Sequence, residues 1–154
     1  MVIQDTDKQP GTGAFLGKVH VNILLALGCV GAVTNGPARE LPGIEASGFQ
    51  VFAGRVAISR AYVHIVEFGG PVEVGGLKIQ PGDLIHGDRH GIIIVPKDLA
   101  TRLPAVAAKI AEQKQQVIEL SRKPGASLEE LGQALRELLE FNMDHPRDGV
   151  NQWK

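Results

Sequence analysis

The distribution of glycine constrains this chain more than any other feature. Most of its 19 glycines lie at or before Gly91. A glycine inside a helix costs about 1 kcal/mol relative to alanine. The stretch up to Gly91 is therefore expected to consist of short strands and tight turns, and helix is expected only after Pro96. The second stretch has too little apolar variety to fold alone, so the change of texture need not mark a domain boundary. A length of 154 residues suits one domain with a sizeable core.

Along the chain, residues 1–12 form a polar lead. Phe15, Val19, Ile23, Leu24 and Leu27 recur at helical spacing and predict a helix from Ala14 to Leu27, stopped by Gly28 in the left-handed conformation. Cys29 to Val33 or Thr34 reads as a short buried strand. NGPARELPG (35–43) reads as a turn-rich loop. One or two helical turns over Leu41–Ser47 and a strand over Gln50–Ala53 follow. Ala61–Phe68 alternates, with Tyr62, His64, Val66 and Phe68 on one face and Val63, Ile65 and Glu67 on the other, which predicts a strand. Gly75-Gly76 suits a primed hairpin turn. Asp83–His86 and Gly91–Val95 predict two strands joined by a GDRH turn, the apolar run 92–95 being expected to be buried on both faces.

In the helical part, Pro104 fits the first turn of a helix. Val106, Ile110, Val117 and Leu120 continue it as a stripe to about Arg122, and Lys123-Pro124-Gly125 ends it. Ser127 and Glu130 form a capping box for a last helix, Leu128 to Phe141. The tail 143–154 reads as loose. The stripes are most simply core or subunit contacts.

Several function classes are disfavoured. The formal net charge of −1 argues against general nucleic-acid binding. One cysteine, Cys29, permits no internal disulfide and suits a reducing compartment. No apolar run approaches the ~20 residues of a spanning helix, and the acidic N-terminus does not read as a signal peptide. The expectation is a soluble cytoplasmic protein that does not act on membranes.

Chemistry is most plausible at Arg39-Glu40, where a strand ends, a glycine turn follows and two opposite charges come next. Strand ends in α/β sheets are where ligands usually sit. Arginine offers a rigid fork for a carboxylate, and glutamate can hold a hard divalent cation. The same pair also reads as a surface loop facing water. Gly17, Lys18, Val19 and His20 would form an anion site if a helix begins there, through free backbone N–H groups. If they lie mid-helix, Lys18 and His20 simply face solvent. His86 and His90 have the spacing H-x-x-x-H, but Gly87 and a turn intervene, so the helical metal-site geometry fails. His64 reads as a packed histidine, and Cys29 as a buried small hydrophobe at the start of its strand.

FLGKVH, GCVGAVTNGPARE, GFQVFAG and GGPVEVGGLKIQPGDLIHGDRHGIIIVP together resemble the RraA-like family. That family includes the regulator of ribonuclease activity A and the 4-hydroxy-4-methyl-2-oxoglutarate aldolases. The specific part is NG-x-x-R-acid combined with PGD-x-x-x-x-D-x-x-G-x-x-x-x-P. The resemblance covers about Gly13 to Leu120. It implies an α/β fold, a three-layer β/β/α swivelling domain, here over 1–123, with a C-terminal helix and tail over 124–154. It also implies a ring-shaped homotrimer with active sites between subunits.

The resemblance further implies a divalent-metal-dependent lyase. Such an enzyme cleaves 4-hydroxy-4-methyl-2-oxoglutarate, or decarboxylates oxaloacetate, through pyruvate enolate with Mg²⁺ or Mn²⁺. The family arginine falls on Arg39, which would grip the carboxylate of a small 2-oxo acid and stabilise the enolate. The family metal ligand, usually Asp, falls on Glu40. The backbone amides that hold substrate fall on Gly17, Lys18, Val19 and His20. Lys18 stands where aldolase members carry an acid. Members normally have a substantial portion before the segment matching VIQD, supplying a strand, helices and part of the neighbouring subunit's site; the chain is expected to lack it. Lys18 and that short start point toward the alternative, a non-catalytic binding or regulatory protein of the ribonuclease-regulator type, or an inactive paralogue.

Overall fold

Successive residues of one strand point to opposite sides, and this alternation builds the first part of the molecule. The computed structural model describes residues 1–60 and 62–143. Strand β2 (Gly31–Ala38) lies between β1 (Val2–Ile3) and β3 (Gln50–Val56), parallel to both. Ala32 and Ala38 of β2 face a core with Val21 and Leu24 of helix α1 (Lys18–Ala26) and Ile44 of helix α2 (Leu41–Ala46). Val33 faces the opposite way, into a second core.

That second core is closed by two antiparallel hairpins. In the first, β4 (Val72–Val74) pairs with β5 (Leu77–Ile79), and in the second, β6 (Leu84–Asp88) pairs with β7 (Gly91–Val95). Val74 and Ile79 are buried against Val33, and Phe52, Ile85, Ile92 and Ile94 pack around them. Helices thus cover one face of the parallel sheet and hairpins the other, the expected β/β/α arrangement. The Gly75-Gly76 turn has both residues at positive φ, +59° and +81°. A primed turn requires this, and two glycines adopt it without steric cost.

Four expectations need correction. The first helix begins at Lys18, not Ala14, and buries Val21 and Leu24 while Val19, Ile23 and Leu27 stay exposed. Residues 14–17 instead run extended beside the sheet: Leu16 bridges Ala38, and Ala14 bridges Arg60. Strand β2 continues to Ala38, where a loop was expected from residue 35. Residues 62–68 form no strand; Tyr62, Ile65, Val66 and Phe68 are exposed. Alternation makes a strand only where a sheet edge supplies backbone partners, and among the described residues this segment has none. Finally, the run 92–95 is buried on one side only, with Ile93 45% exposed.

The chain divides into two compact units, Met1–Lys97 and a second beginning at Asp98. The second consists of α3 (Leu103–Arg122) packed on α4 (Leu128–Met143). Pro104 lies in the first turn of α3, as expected. Val106, Ile110, Val117 and Leu120 are its half-buried stripe, and Leu131, Ala134 and Leu138 are half-buried on α4. The expectation of a loose tail falls almost wholly on residues 144–154, outside the described residues.

The capping box is formed. Ser127 N–H donates to Glu130 Oε2 at 2.9 Å, and Glu130 N–H donates to Ser127 Oγ at 3.1 Å. The Ser127 backbone N–H, then its hydroxyl, hold the Glu130 carboxyl below its ordinary value. A carboxyl lowered in the folded state stabilises above its unfolded value, and that contribution is lost as pH falls through the folded value. We therefore expect wild type to melt above Glu130→Gln at neutral pH, with the gap closing below the ordinary carboxylate range. A gap that stays constant on acidification would contradict the capping geometry.

Candidate functional site

Local hydrogen bonding in β2 determines where Arg39 emerges. Buried Thr34 accepts the Gly36 N–H through Oγ1 at 3.0 Å, and the register with β3 shifts between Thr34 and Pro37. The strand resumes at Pro37 and Ala38, and Arg39 N–H donates to Leu16 O at 3.0 Å. Arg39 is thereby laid against the segment that leads into α1.

Gly17 is the N-cap of α1, in extended conformation. A Cβ on it would lie 2.8 Å from Glu40 Oε2 and 2.9 Å from Arg39 Cζ. The missing side chain is the space into which both functional groups fit. Glu40 has φ 58° and ψ 40°, and it is the one non-glycine residue at positive φ among the described residues. Its carbonyl accepts from Gly43 N–H at 2.9 Å and Ile44 N–H at 3.2 Å, which fixes this left-handed conformation as the start of α2. Glu40 Oε2 then lies 2.8 Å from Arg39 Nη1 and accepts Lys18 N–H at 3.0 Å.

The first intrahelical bond of α1 is Val21 N–H to Gly17 O. The N–H groups of Val19 and His20 precede it and point out of the helix end, where partial positive charge collects. Arg39 Nε and His20 Nδ1 are buried without a hydrogen-bond partner among the described residues. The His20 ring lies against Phe15, centroids 4.7 Å apart. The Lys18 stem runs over Gly43, where a Cβ would meet its Cδ at 2.8 Å.

Arg39, Glu40, Gly17, Lys18, Val19 and His20 thus meet at one helix end. Arg39 does not face water as a loop residue: its side chain is 16% exposed, against 46% for Glu40. Lys18 opens the helix rather than lying inside it. His86 and His90 are not brought into this cluster. Both are exposed, and His90 pairs with Asp88 at 3.3 Å. Among the described residues no three His, Cys, Asp or Glu side chains gather as a metal site. Cys29 is half-buried and precedes β2 instead of starting it. Sequence reasoning missed Leu16, whose carbonyl aligns Arg39, and Gly43, which makes room for Lys18. A glycine inside the short helical segment 41–47 was the available signal for the second.

The Aldolase/RraA family model, RraA-like, matches residues 1–94. The chain belongs to the RraA-like family. It is 32% identical over 87 residues to a candidate 4-hydroxy-4-methyl-2-oxoglutarate aldolase of Halalkalibacterium halodurans, a match covering 56% of this chain and 41% of that protein. The chain therefore spans about two-fifths of that relative. Among solved structures, an uncharacterised protein of Pseudomonas syringae pv. tomato superposes with TM-score 0.67 at 25% identity, over 87% of this chain and 66% of that one. Streptomyces coelicolor RraAS2, described as an unusual member of the RNase ES inhibitor RraA family, superposes with TM-score 0.54 at 25% identity, over 79% and 61%. These neighbours agree with the α/β fold expected. No helix among the described residues is long and apolar enough to cross a membrane.

Gly17 offers a direct test of this RraA-like site. Gly17→Ala places a methyl group against the ends of two flexible side chains, which can swing aside. Stability is expected to change by less than about 1 kcal/mol. Arg39 and Glu40 must nevertheless part from their present positions. Any turnover or anion binding that depends on them is expected to fall at least about tenfold, since misplacement near 1 Å can cost ~100-fold. Unchanged function with unchanged melting would show that the Gly17 contact is idle.

Proposed function

We propose that this RraA-like protein is a carbon–carbon lyase of the 4-hydroxy-4-methyl-2-oxoglutarate aldolase or oxaloacetate decarboxylase type, working on a small 2-oxo acid in the cytoplasm as a ring-shaped homotrimer. The observation that carries this reading is the convergence of the Arg39 guanidinium and the Glu40 carboxylate on the N-terminus of α1. Both reactions place negative charge on the oxygen of a pyruvate enolate. A site for them needs a fixed cation for the substrate carboxylate and donors aimed at the developing charge.

Arg39 meets the first need, with a buried Nε–H that has no partner among the described residues. The outward N–H groups of Val19 and His20 meet the second. Arg39 is held at its backbone by Leu16, which lays its guanidinium at the helix end before substrate arrives. Glu40 would hold the divalent cation, Mg²⁺ or Mn²⁺. One carboxylate together with water and substrate oxygens suits magnesium, and the half-exposed Glu40 side chain is a hard oxygen donor open to solvent. When bound, the cation supplies Lewis-acid polarisation of the keto group.

Lys18 favours a second reading. Lys18 is the first residue of α1, the helix end that Glu40 reaches, and its positive charge opposes a cation there, as a non-catalytic member working through its surface would tolerate. The deciding experiment is oxaloacetate decarboxylation with and without added Mg²⁺ or Mn²⁺, with pyruvate coupled to NADH oxidation and Arg39→Ala run alongside. Pyruvate release above the metal-only background, lost in the variant, is expected. A folded wild-type protein that releases none would favour the regulatory reading.

A further inference from the structure

The contact between Glu40 and its neighbours has the form of a ligand complex. A carboxylate oxygen forms an ion pair with the Arg39 guanidinium at 2.8 Å and accepts a hydrogen bond from the first N–H of α1. Guanidinium and helix N-terminus are both established devices by which proteins hold a free carboxylate. The chain supplies that carboxylate itself, and it does so from a backbone conformation that a glutamate rarely adopts.

We propose that Glu40 is an internal occupant of the anion site, closing it to small carboxylates until its side chain swings out. This rests on the reading of Arg39 as the carboxylate grip. It adds that the site is self-closed in the unliganded chain. The ligand class is a small planar mono- or dicarboxylate, such as a 2-oxo acid or its enolate.

The physical case has three parts. The oxygen that bridges Arg39 and Lys18 N–H uses donors an incoming carboxylate would need, so the two compete directly. The Glu40 side chain is 46% exposed, which gives it somewhere to go and keeps the ion pair weak enough to open. The first-turn N–H groups of Val19 and His20 lie ahead of the first intrahelical bond, and the Arg39 Nε–H has no partner among the described residues, so a ligand that displaces Glu40 gains donors that Glu40 does not use. The left-handed backbone keeps the carboxylate close: Glu40 starts α2 while its side chain reaches back to the start of α1.

The test uses oxalate, a planar dianion that presents the carboxylate and oxyanion edge of pyruvate enolate, titrated calorimetrically into the full chain with EDTA present. Glu40→Gln keeps the shape and removes the charge. Glu40→Gly removes the side chain and suits the left-handed backbone, which guards against a folding failure of the first variant. Both are expected to bind oxalate about tenfold tighter than wild type, equivalent to about 1.4 kcal/mol. The gain is expected to vanish when Arg39→Ala is added. Affinity equal to or below wild type in both variants overturns the proposal, as does a gain that survives the loss of Arg39. Because no turnover enters this titration, a protein that fails to decarboxylate oxaloacetate but shows the oxalate gain would refute the lyase reading alone.

Discussion

Gly54→Ala is expected to destabilise the first unit by about 3 kcal/mol or more, the upper end for overpacking a close-packed site. Gly54 lies in β3 beside the shifted register of β2. A Cβ there would press into the carbonyl oxygen of Asn35 and come within 3.0 Å of its carbonyl carbon. Both are backbone atoms, so no rotamer change relieves the overlap. The strands must part or slip. Asn35 has little room to yield, because its side chain is tied to the N-terminal segment: Oδ1 accepts Asp5 N–H at 2.6 Å, and Nδ2 donates to Asp5 O at 2.9 Å. Total stabilities of ~5–15 kcal/mol make this a large fraction of the whole. Urea unfolding of the full chain measures it. Gly48→Ala is the control: φ is +74° but no atom lies within 4 Å, so only about 1 kcal/mol of backbone strain is expected. Equal midpoints for the two variants would mean that β2 and β3 are not in the described register.

Arg39→Ala is expected to lower metal-dependent decarboxylation by about 10²–10³-fold, the usual loss when one preorganised donor to developing charge is removed. Two physical effects act together. The substrate carboxylate loses its fork, which raises KM, and the enolate loses a fixed cation, which lowers kcat. The variant also releases Glu40 Oε2 from Nη1, although Lys18 N–H still holds that oxygen. Stability is expected to change little, because the pair is partly solvated. A kcat within threefold of wild type would remove Arg39 from the chemistry, whatever happened to KM. Arg39→Lys keeps the charge but not the fork, and it is expected to recover only part of the loss.

What could be read from the sequence depended on whether the determining contact was local. The Gly75-Gly76 turn, the Ser127–Glu130 capping box and the Gly28 helix stop are each decided within a few residues, and all three are found. The face of α1 is decided by what packs on it. Apolar residues lie on more than one side of that helix, and only contact with Ala32, Ala38 and Ile44 selects Val21 and Leu24. Residues 62–68 carry a strand pattern whose realisation needs a partner edge. The site was half legible. Arg39 and Glu40 stood out by charge and by the preceding glycine turn, and family resemblance joined them to Gly17–His20. The left-handed backbone of Glu40 and the bulge that re-aims Arg39 have no such signal: their hydrogen bonds are local, Glu40 O with the Gly43 and Ile44 N–H groups and Thr34 Oγ1 with the Gly36 N–H, but a glutamate and a threonine do not by their residue type announce either geometry.

Position 40 will mislead any programme that ranks variants by heat resistance. Glycine and asparagine accept a left-handed backbone far more readily than glutamate does. A library screened only for residual fold after heating is expected to enrich them there, and the winners would look improved. They would also have discarded the carboxylate that Glu40 brings to the start of α1. On the lyase reading, thermal fitness and metal-dependent turnover pull this residue in opposite directions, so a screen on this chain has to score turnover alongside melting.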